Sequence, residues 1–339
     1  MSTIYDVAKR ARVSAATVSA VLNDTAFVSG ALRTRVLAAV KALEYQPNLL
    51  ARGLAGRRTQ TLAMIVPDIA NPFFPQVVRG AEDAARAAGY SVVLASTDND
   101  PSREELYLNL FLARRVDGIL LTKAPAPVRR EMAASLRRSA VPVVQLARTV
   151  AGLKADAVLM DDRGGAYEAV AHLARLGCRR IAMIAGITGA STSTGRIAGY
   201  REALAAHGIP FDGDLVAPGD YQVESGYRAG LALLKRQPDA LFVSNYLMTV
   251  GVMKALRQYR VRCPHDLAIV TCDDHPWLDC FTPRLTTVDL PKQQLGAEAA
   301  RLLIDRITRG GRDFQTVTLP GTLCVRDSCG ASLRDVALS

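Results

Sequence analysis

TIYDVAKRARVSAATVSAVLN, residues 3–23, decides how the N-terminus folds. Thr3 followed by Asp6 fits a helix N-cap with an acidic residue in the first turn. Ile4, Val7, Ala8 and Ala11 then recur at i, i+3, i+4 and i+7, so one apolar stripe runs down the helix. Arg12-Val13-Ser14 breaks the pattern, and Ser14 can cap a second helix, Ala15 to Leu22, that buries Val18, Val21 and Leu22. Ser29 can cap a third, with Leu32, Val36, Val40 and Leu43 on one face. Three short helices with a tight turn between the first two make an all-α helix-turn-helix head, whose second helix enters the DNA major groove. A small helical bundle with no nucleic-acid partner is the alternative that periodicity leaves open.

Charge separates the two. Residues 1–58 hold nine cations (Lys9, Arg10, Arg12, Arg33, Arg35, Lys41, Arg52, Arg57, Arg58) against three anions (Asp6, Asp24, Glu44), whereas the whole 339-residue chain carries +10. A basic head on a nearly balanced body points to a polyanion at one end. The length implies two or three domains, and 49% hydrophobic with 22% charged residues is ordinary for a soluble protein. No apolar run approaches the roughly 18 residues of a membrane span, and no basic-then-apolar leader opens the chain. A cytoplasmic protein with no membrane partner is expected. The six cysteines (Cys178, Cys263, Cys272, Cys280, Cys324, Cys329) form no C-x-x-C pair and have no paired histidines nearby, so buried thiols are expected, with no metal and no cofactor.

The head segment, together with YQPNLLARGLAG at 45–56, resembles the head and hinge of the lactose-repressor/galactose-repressor (LacI/GalR) family of bacterial transcription regulators. The resemblance continues through MIVPDIANPFFPQVVRGAEDAARAAGYSVVL (64–94), RRVDGILL (114–121), GRIAGYREAL (195–204) and FTPRLTTVDLPKQQLGAEAARLLIDRI (281–307), in a layout similar to the purine repressors. It implies base reading by the two residues after the cap serine and by one residue a turn later: Ala15, Ala16 and Ala20. Alanine has no hydrogen-bonding group and can only touch a thymine methyl. Thr17 and Ser19 remain as polar readers, and Thr3, Ser14, Asn23, Arg33 and Tyr45 as further DNA contacts, so specificity is expected to lean on DNA shape. The resemblance also implies a hinge over residues 47–59 that orders on DNA and wedges Leu54 into the minor groove. Gly53 and Gly56 weaken such a helix by about 1 kcal/mol each, which fits ordering on contact.

From residue 60 the pattern becomes α/β. Thr61–Val66, Ser91–Ala95, Gly118–Thr122 and Val141–Leu146 read as buried parallel strands, with helices at Pro75–Ala88 and Arg103–Arg114 between them. A second series begins near Ala157, with strands at Arg180–Ala185, Leu241–Ser244 and Leu267–Cys272. Two doubly wound lobes with parallel sheets follow. The resemblance implies a periplasmic-binding-protein-like body over 60–339. Its N-lobe would span about 60–160 and 290–320, its C-lobe about 161–289 and 321–330.

Ligands in such sheets lie beyond the strand C-termini. Those ends carry Asp68, Phe73 and Phe74, Lys123 and Arg148 in the first lobe, and Arg196, Tyr221, Asn245, Asp273 and nearby Trp277 in the second. By resemblance these residues form an effector pocket, in which Arg196 donates to the ligand, Asp273 accepts its hydroxyls and the aromatic rings stack. Phe73 and Trp277 also fit plain interlobe packing. The family's frequent Asp-Arg after the fourth strand is here Ala147-Arg148, and its Asn-Asp is Asn245-Tyr246. With Lys123 added, the pocket reads as cationic, which favours a sugar acid or sugar phosphate. A neutral sugar or a purine is the alternative, and a sugar-binding protein without a DNA role the remote one.

The expected protein is therefore a transcription regulator, a repressor in sign, in which a small molecule controls affinity for a pseudo-palindromic double-stranded operator. The short polar tail after Val325 has no leucine heptad, which favours a homodimer over a tail-built tetramer. An enzyme is not expected. Gly186–Ser191 is neither G-x-G-x-x-G nor a P-loop, Asp273-Asp274-His275 stands alone, and there is no nucleophile elbow.

Overall fold

The structure is a computed structural model that describes residues 2–24, 26–45, 58–311, 313–331 and 333. The chain divides into two compact units, residues 1–59 and 60–339.

In the first unit, α1 (Ile4–Ala11) opens with a capping box: the Thr3 hydroxyl accepts from the Asp6 amide, and the Asp6 carboxylate accepts from the Thr3 amide at 2.8 Å. Ser14 caps α2 (Ala15–Asn23) by accepting from the Thr17 amide at 3.1 Å. Ser29 stands at the start of α3 (Gly30–Ala42) without making a side-chain cap bond there. Val7, Ala8, Ala11, Val18, Val21, Val36 and Ala39 form the core, with Ile4, Leu22, Val40 and Leu43 packed against it. Arg35 reaches back to donate to the Ala11 carbonyl at 2.5 Å, which ties α3 to the end of α1.

In the second unit the chain runs β1 (Thr61–Val66), α4 (Phe73–Ala87), β2 (Ser91–Ser96), α5 (Pro101–Ala113), β3 (Gly118–Leu121), α6 (Arg130–Ser139), β4 (Val143–Leu146) and β5 (Asp156–Met160). It continues through α7 (Asp162–Arg175), β6 (Ile181–Ile184), α8 (Ser191–Ala206), β7 (Val216–Ala217), α9 (Val223–Leu234), β8 (Ala240–Val243), α10 (Tyr246–Tyr259), β9 (Ala268–Cys272) and β10 (Thr286–Asp289). The last elements are α11 (Lys292–Arg309), β11 (Thr316–Leu319) and β12 (Thr322–Cys324).

One six-stranded sheet has the order β2-β1-β3-β4-β5-β11 and is parallel throughout. The other has the order β7-β6-β8-β9-β10-β12, with β12 antiparallel to β10. Runs such as Leu62–Val66 and Ile181–Ile184 are buried on both faces, as parallel strands under helices must be. The strand near Ala157 opens no second series: β5 pairs with β4 and β11 in the first sheet. The chain thus crosses between sheets after β5, after β10 and after β11. Strands β7, β10, β11 and β12 are short edge or near-edge pieces without a periodic signature.

Helices pack tightly where glycine removes the Cβ. A Cβ on Gly80 of α4 would lie 1.9 Å from the Gln293 carbonyl, and one on Gly296 of α11 would lie 1.9 Å from that of Val77. Gly226 and Gly251 bring α9 and α10 together in the same way.

The cysteines are all free, but only Cys178, Cys272 and Cys329 are buried; Cys280 is exposed, since it ends a 3-10 turn at the surface. The polar tail is partly core: Ser328 takes the Thr286 amide at 2.8 Å and donates to the Ile269 carbonyl at 2.7 Å. Among the described residues no helix is long and apolar enough to cross a membrane, and no cluster of acidic, histidine or cysteine side chains is placed to hold a metal.

Candidate functional site

A cleft of about 450 Å³, including its opening to solvent, lies between the two sheets. The first lobe contributes Phe73 and Phe74 at the start of α4, which meet edge to face at 5.1 Å, and Ala147-Arg148 after β4. The second lobe contributes Thr192 and Arg196 from α8, Tyr221 before α9, Asn245 after β8 and Asp273 after β9. Met160, Asp162 and Leu290, at two of the interlobe crossings, close the floor. Of the ten residues read from the sequence as effector contacts, Phe73, Phe74, Arg148, Arg196, Tyr221, Asn245 and Asp273 line this cleft.

Arg196 is the best-anchored cation. Its Nε donates to Asp162 Oδ1 at 2.8 Å and its Nη1 donates to the Ser244 carbonyl. Burial works against its charge, but the Asp162 carboxylate beside it holds its pKa well above the usual arginine value. Burial pushes the Asp162 carboxyl up to about 6 despite the pull of Arg196. Arg148 donates through Nη1 to Asn99 Oδ1 at 2.7 Å and sits 5.6 Å from the Tyr221 ring centre, its pKa lowered by burial. Asn245 caps α10 through Oδ1 and donates to the Tyr221 carbonyl at 3.1 Å, and Thr192 and Tyr221 share a hydroxyl bond at 3.0 Å.

Asp273 differs from these. It is 4% exposed, yet its Oδ1 has no hydrogen-bond partner in the protein. Its φ is +73°, and Tyr221 at +68° and Ala147 at +60° also hold left-handed backbone. Such conformations each cost roughly 1–3 kcal/mol for a non-glycine residue, and three at one cleft mark a site held against local preference.

Three of the sequence-derived residues lie elsewhere. Lys123 is buried, but its ammonium pairs with Glu104 Oε1 at 2.7 Å, one turn into α5, and supplies no charge to the cleft. Trp277 is carried away by the 3-10 turn Pro276–Cys280 and packs on Tyr246 at 4.5 Å, 42% exposed. Asp68 stands across the lobes as a strut: its Oδ2 accepts from Gln222 Nε2 at 2.9 Å. A second strut runs from the Thr149 amide to Ser191 Oγ at 3.0 Å. Sequence reasoning missed Asp162 and Thr192. The strand-end rule finds Asp162 once β5 is assigned to the first lobe, and Thr192 sits one turn before Arg196 on the same helix face.

In the head, Ser14 and Ala16 are exposed, while Ala15, Thr17, Ser19 and Ala20 are half-buried. Thr3 and Ser14 are engaged as caps, with Ser14 Oγ 2.9 Å from the Thr17 hydroxyl. Arg33 pairs with Asp24 on the surface, an interaction weak enough for a phosphate to displace. Tyr45 packs against the head core. Asn23 ends α2, and Leu54 lies outside the described residues.

Residues 3–48 match the family described as bacterial regulatory proteins, lacI family, and residues 170–329 match the periplasmic binding protein-like domain. The ribose operon repressor of Halalkalibacterium halodurans is 36% identical, with 97% of each chain covered. The HTH-type transcriptional repressor PurR of Erwinia tasmaniensis is 35% identical, again over 97% of each. Among solved structures, the transcriptional regulator CelR–cellobiose complex is 35% identical with a TM-score of 0.72, covering 97% of this chain and 100% of that one. The lac repressor dimer bound to operator and an anti-inducer is 26% identical with a TM-score of 0.84, covering 97% and 99%.

Proposed function

The chain belongs to the lacI family of bacterial regulatory proteins and is a DNA-binding transcriptional repressor, not an enzyme; from that premise we propose that its effector is a neutral sugar bound in the interlobe cleft. The observation that carries this reading is the charge balance of the cleft. Arg148 and Arg196 face Asp162 and Asp273, and among the described residues no third cation lines the cleft, since Lys123 pairs with Glu104 outside it. An acidic effector needs both that third cation and a missing acid, and Asp162 supplies an acid to the cleft.

A neutral polyol suits what remains. One hydroxyl can donate to the unpartnered Asp273 oxygen, others can accept from the guanidiniums, and the apolar ring face can lie on Phe73 and Phe74. The names of two relatives, a ribose operon repressor and a cellobiose complex, agree with a sugar.

Ligand would close the lobes about their three crossings and shift the balance between operator-bound and free states, a coupling of typically 1–3 kcal/mol. The repressor acts in the cytoplasm as a homodimer on a pseudo-palindromic operator, as the solved lac repressor dimer suggests. Exposed apolar side chains Val93 and Leu94 of β2, Leu106 and Leu110 of α5, and Trp277 and Phe281 offer surface for a second copy. Residues 47–59, with Leu54, serve in this reading as the hinge that orders on DNA. Ala15, Ala16 and Ala20 read thymine methyls; unchanged operator discrimination after Ala15→Gly and Ala20→Gly would exclude that contact.

The effector is tested by thermal shift of the full chain against glucose, ribose, cellobiose, glucuronate, ribose 5-phosphate and hypoxanthine. A ligand at 100 times its Kd adds about 2.7 kcal/mol. Stabilisation by a neutral sugar is expected; stabilisation only by the acids or by hypoxanthine would reject the reading.

A further inference from the structure

We propose that Asp162 determines the charge of the ligand that this cleft admits, by holding the Nε of Arg196 and placing a carboxylate where an anionic sugar would have to bind. The inference rests on the neutral-sugar reading and says which residue enforces it.

An arginine captures a carboxylate or phosphate through two parallel N–H groups along one edge of its fork. On Arg196 the Nε belongs to Asp162, and Nη1 belongs to the buried Ser244 carbonyl. The Nε–Nη2 edge therefore has its Nε already bonded to Asp162, and one of the two N–H groups of Nη1 is spent on Ser244. The N–H groups that remain can serve ligand hydroxyls, and an anion gathering them would lie on the same guanidinium as the Asp162 carboxylate. Asp162 also brings the cleft to two carboxylates against two guanidiniums, so an incoming anion meets a like charge in a buried setting.

Capping of α7 does not occupy Asp162. The preceding residue, Asp161, caps α7 by accepting from the Gly164 amide at 2.8 Å. Room for Asp162 against α8 comes from Gly195, immediately before Arg196, where a Cβ would lie 3.2 Å from the Cβ of Asp162. The fourth strand ends in Ala147-Arg148 with no acid of its own, and Asp162 supplies one from the interlobe crossing instead.

The test uses the full chain as wild type, Asp162→Asn and Asp162→Glu, with binding of glucose, glucuronate and inorganic phosphate measured by calorimetry. Asparagine keeps an oxygen for Arg196 Nε, and circular dichroism with operator binding checks that each variant folds. Asp162→Asn is expected to raise the glucuronate-to-glucose affinity ratio at least tenfold and to lower half-saturating phosphate similarly, while Asp162→Glu stays near wild type. A ratio and a phosphate response unchanged within twofold, or equal shifts in both variants, would overturn the proposal. Wild type preferring glucuronate to glucose would reject the neutral-sugar reading and this inference with it. If neither sugar binds wild type, the phosphate comparison alone decides on Asp162, and the failure falls on the sugar reading.

Discussion

Asp273→Asn should make the free protein more stable and the ligand complex weaker. Asp273 is buried, left-handed at φ +73°, and has one carboxylate oxygen without a protein partner. A buried unsatisfied acceptor costs about 1–3 kcal/mol, more when charged. Asparagine is the informative replacement because it tolerates the left-handed region nearly as well as aspartate, so backbone strain stays constant. Arg196 keeps its direct partner Asp162 at 2.8 Å, so no cation is orphaned. A gain of about 1 kcal/mol is expected in urea denaturation, or about 2 °C in Tm for a body of this size. A ligand hydroxyl that donates to a carboxylate contributes about 1.5–3 kcal/mol, so affinity for the sugar that binds best should fall roughly 10- to 150-fold by calorimetry. The two changes must have opposite signs. A less stable variant, or one that binds as wild type does, would refute the view that Asp273 is held in reserve for ligand.

Three further outcomes follow from other parts of the molecule. Glu104→Ala should destabilise the body by about 3–5 kcal/mol in chemical denaturation because it strands buried Lys123, and Lys123→Met in the same chain should restore most of the loss. Gly80→Ala, whose Cβ would meet the Gln293 carbonyl at 1.9 Å, should cost several kcal/mol, whereas Gly30→Ala at the open start of α3 should raise the melting temperature slightly. Asp162, held near 6 by burial, keeps its proton in the folded state where an unfolded carboxyl near 3.8 has lost it. Its contribution to stability is therefore full below pH 3.8 and lost as pH rises through about 6; affinity for glucuronate relative to glucose should rise from pH 7.5 to pH 5, with a flat profile in Asp162→Asn.

Local chemistry was readable wherever one residue's neighbours in sequence are also its neighbours in space. The head followed from its periodic apolar stripe and its cap residues, because Thr3, Asp6, Ser14 and Thr17 act within one turn of each other. Strand ends pointed to Arg148, Arg196, Tyr221, Asn245 and Asp273, since a parallel sheet presents all its C-terminal ends to one side. Lys123 was misplaced for the converse reason: its partner Glu104 comes from a helix packed beside the sheet, and no spacing rule reports which side a buried lysine takes. Trp277 left the cleft because a five-residue 3-10 turn, invisible to periodicity, redirects the chain. Asp162 escapes the strand-end rule because periodicity alone begins a second strand series near Ala157, whereas β5 pairs with β4 and β11 in the first sheet.

The glycine contacts between α4 and α11, and between α9 and α10, have a mechanical consequence. Backbone against backbone at these crossings leaves no soft side chain to yield, so each lobe is stiff along its helix pair. If ligand closes the lobes as proposed, the bending falls on the three short crossings after β5, β10 and β11, two of which bring Met160, Asp162 and Leu290 to the cleft. A guest in the cleft would then touch the pivots of that closure, and substitutions at Met160, Asp162 and Leu290 are expected to change how readily the lobes close separately from how tightly they hold.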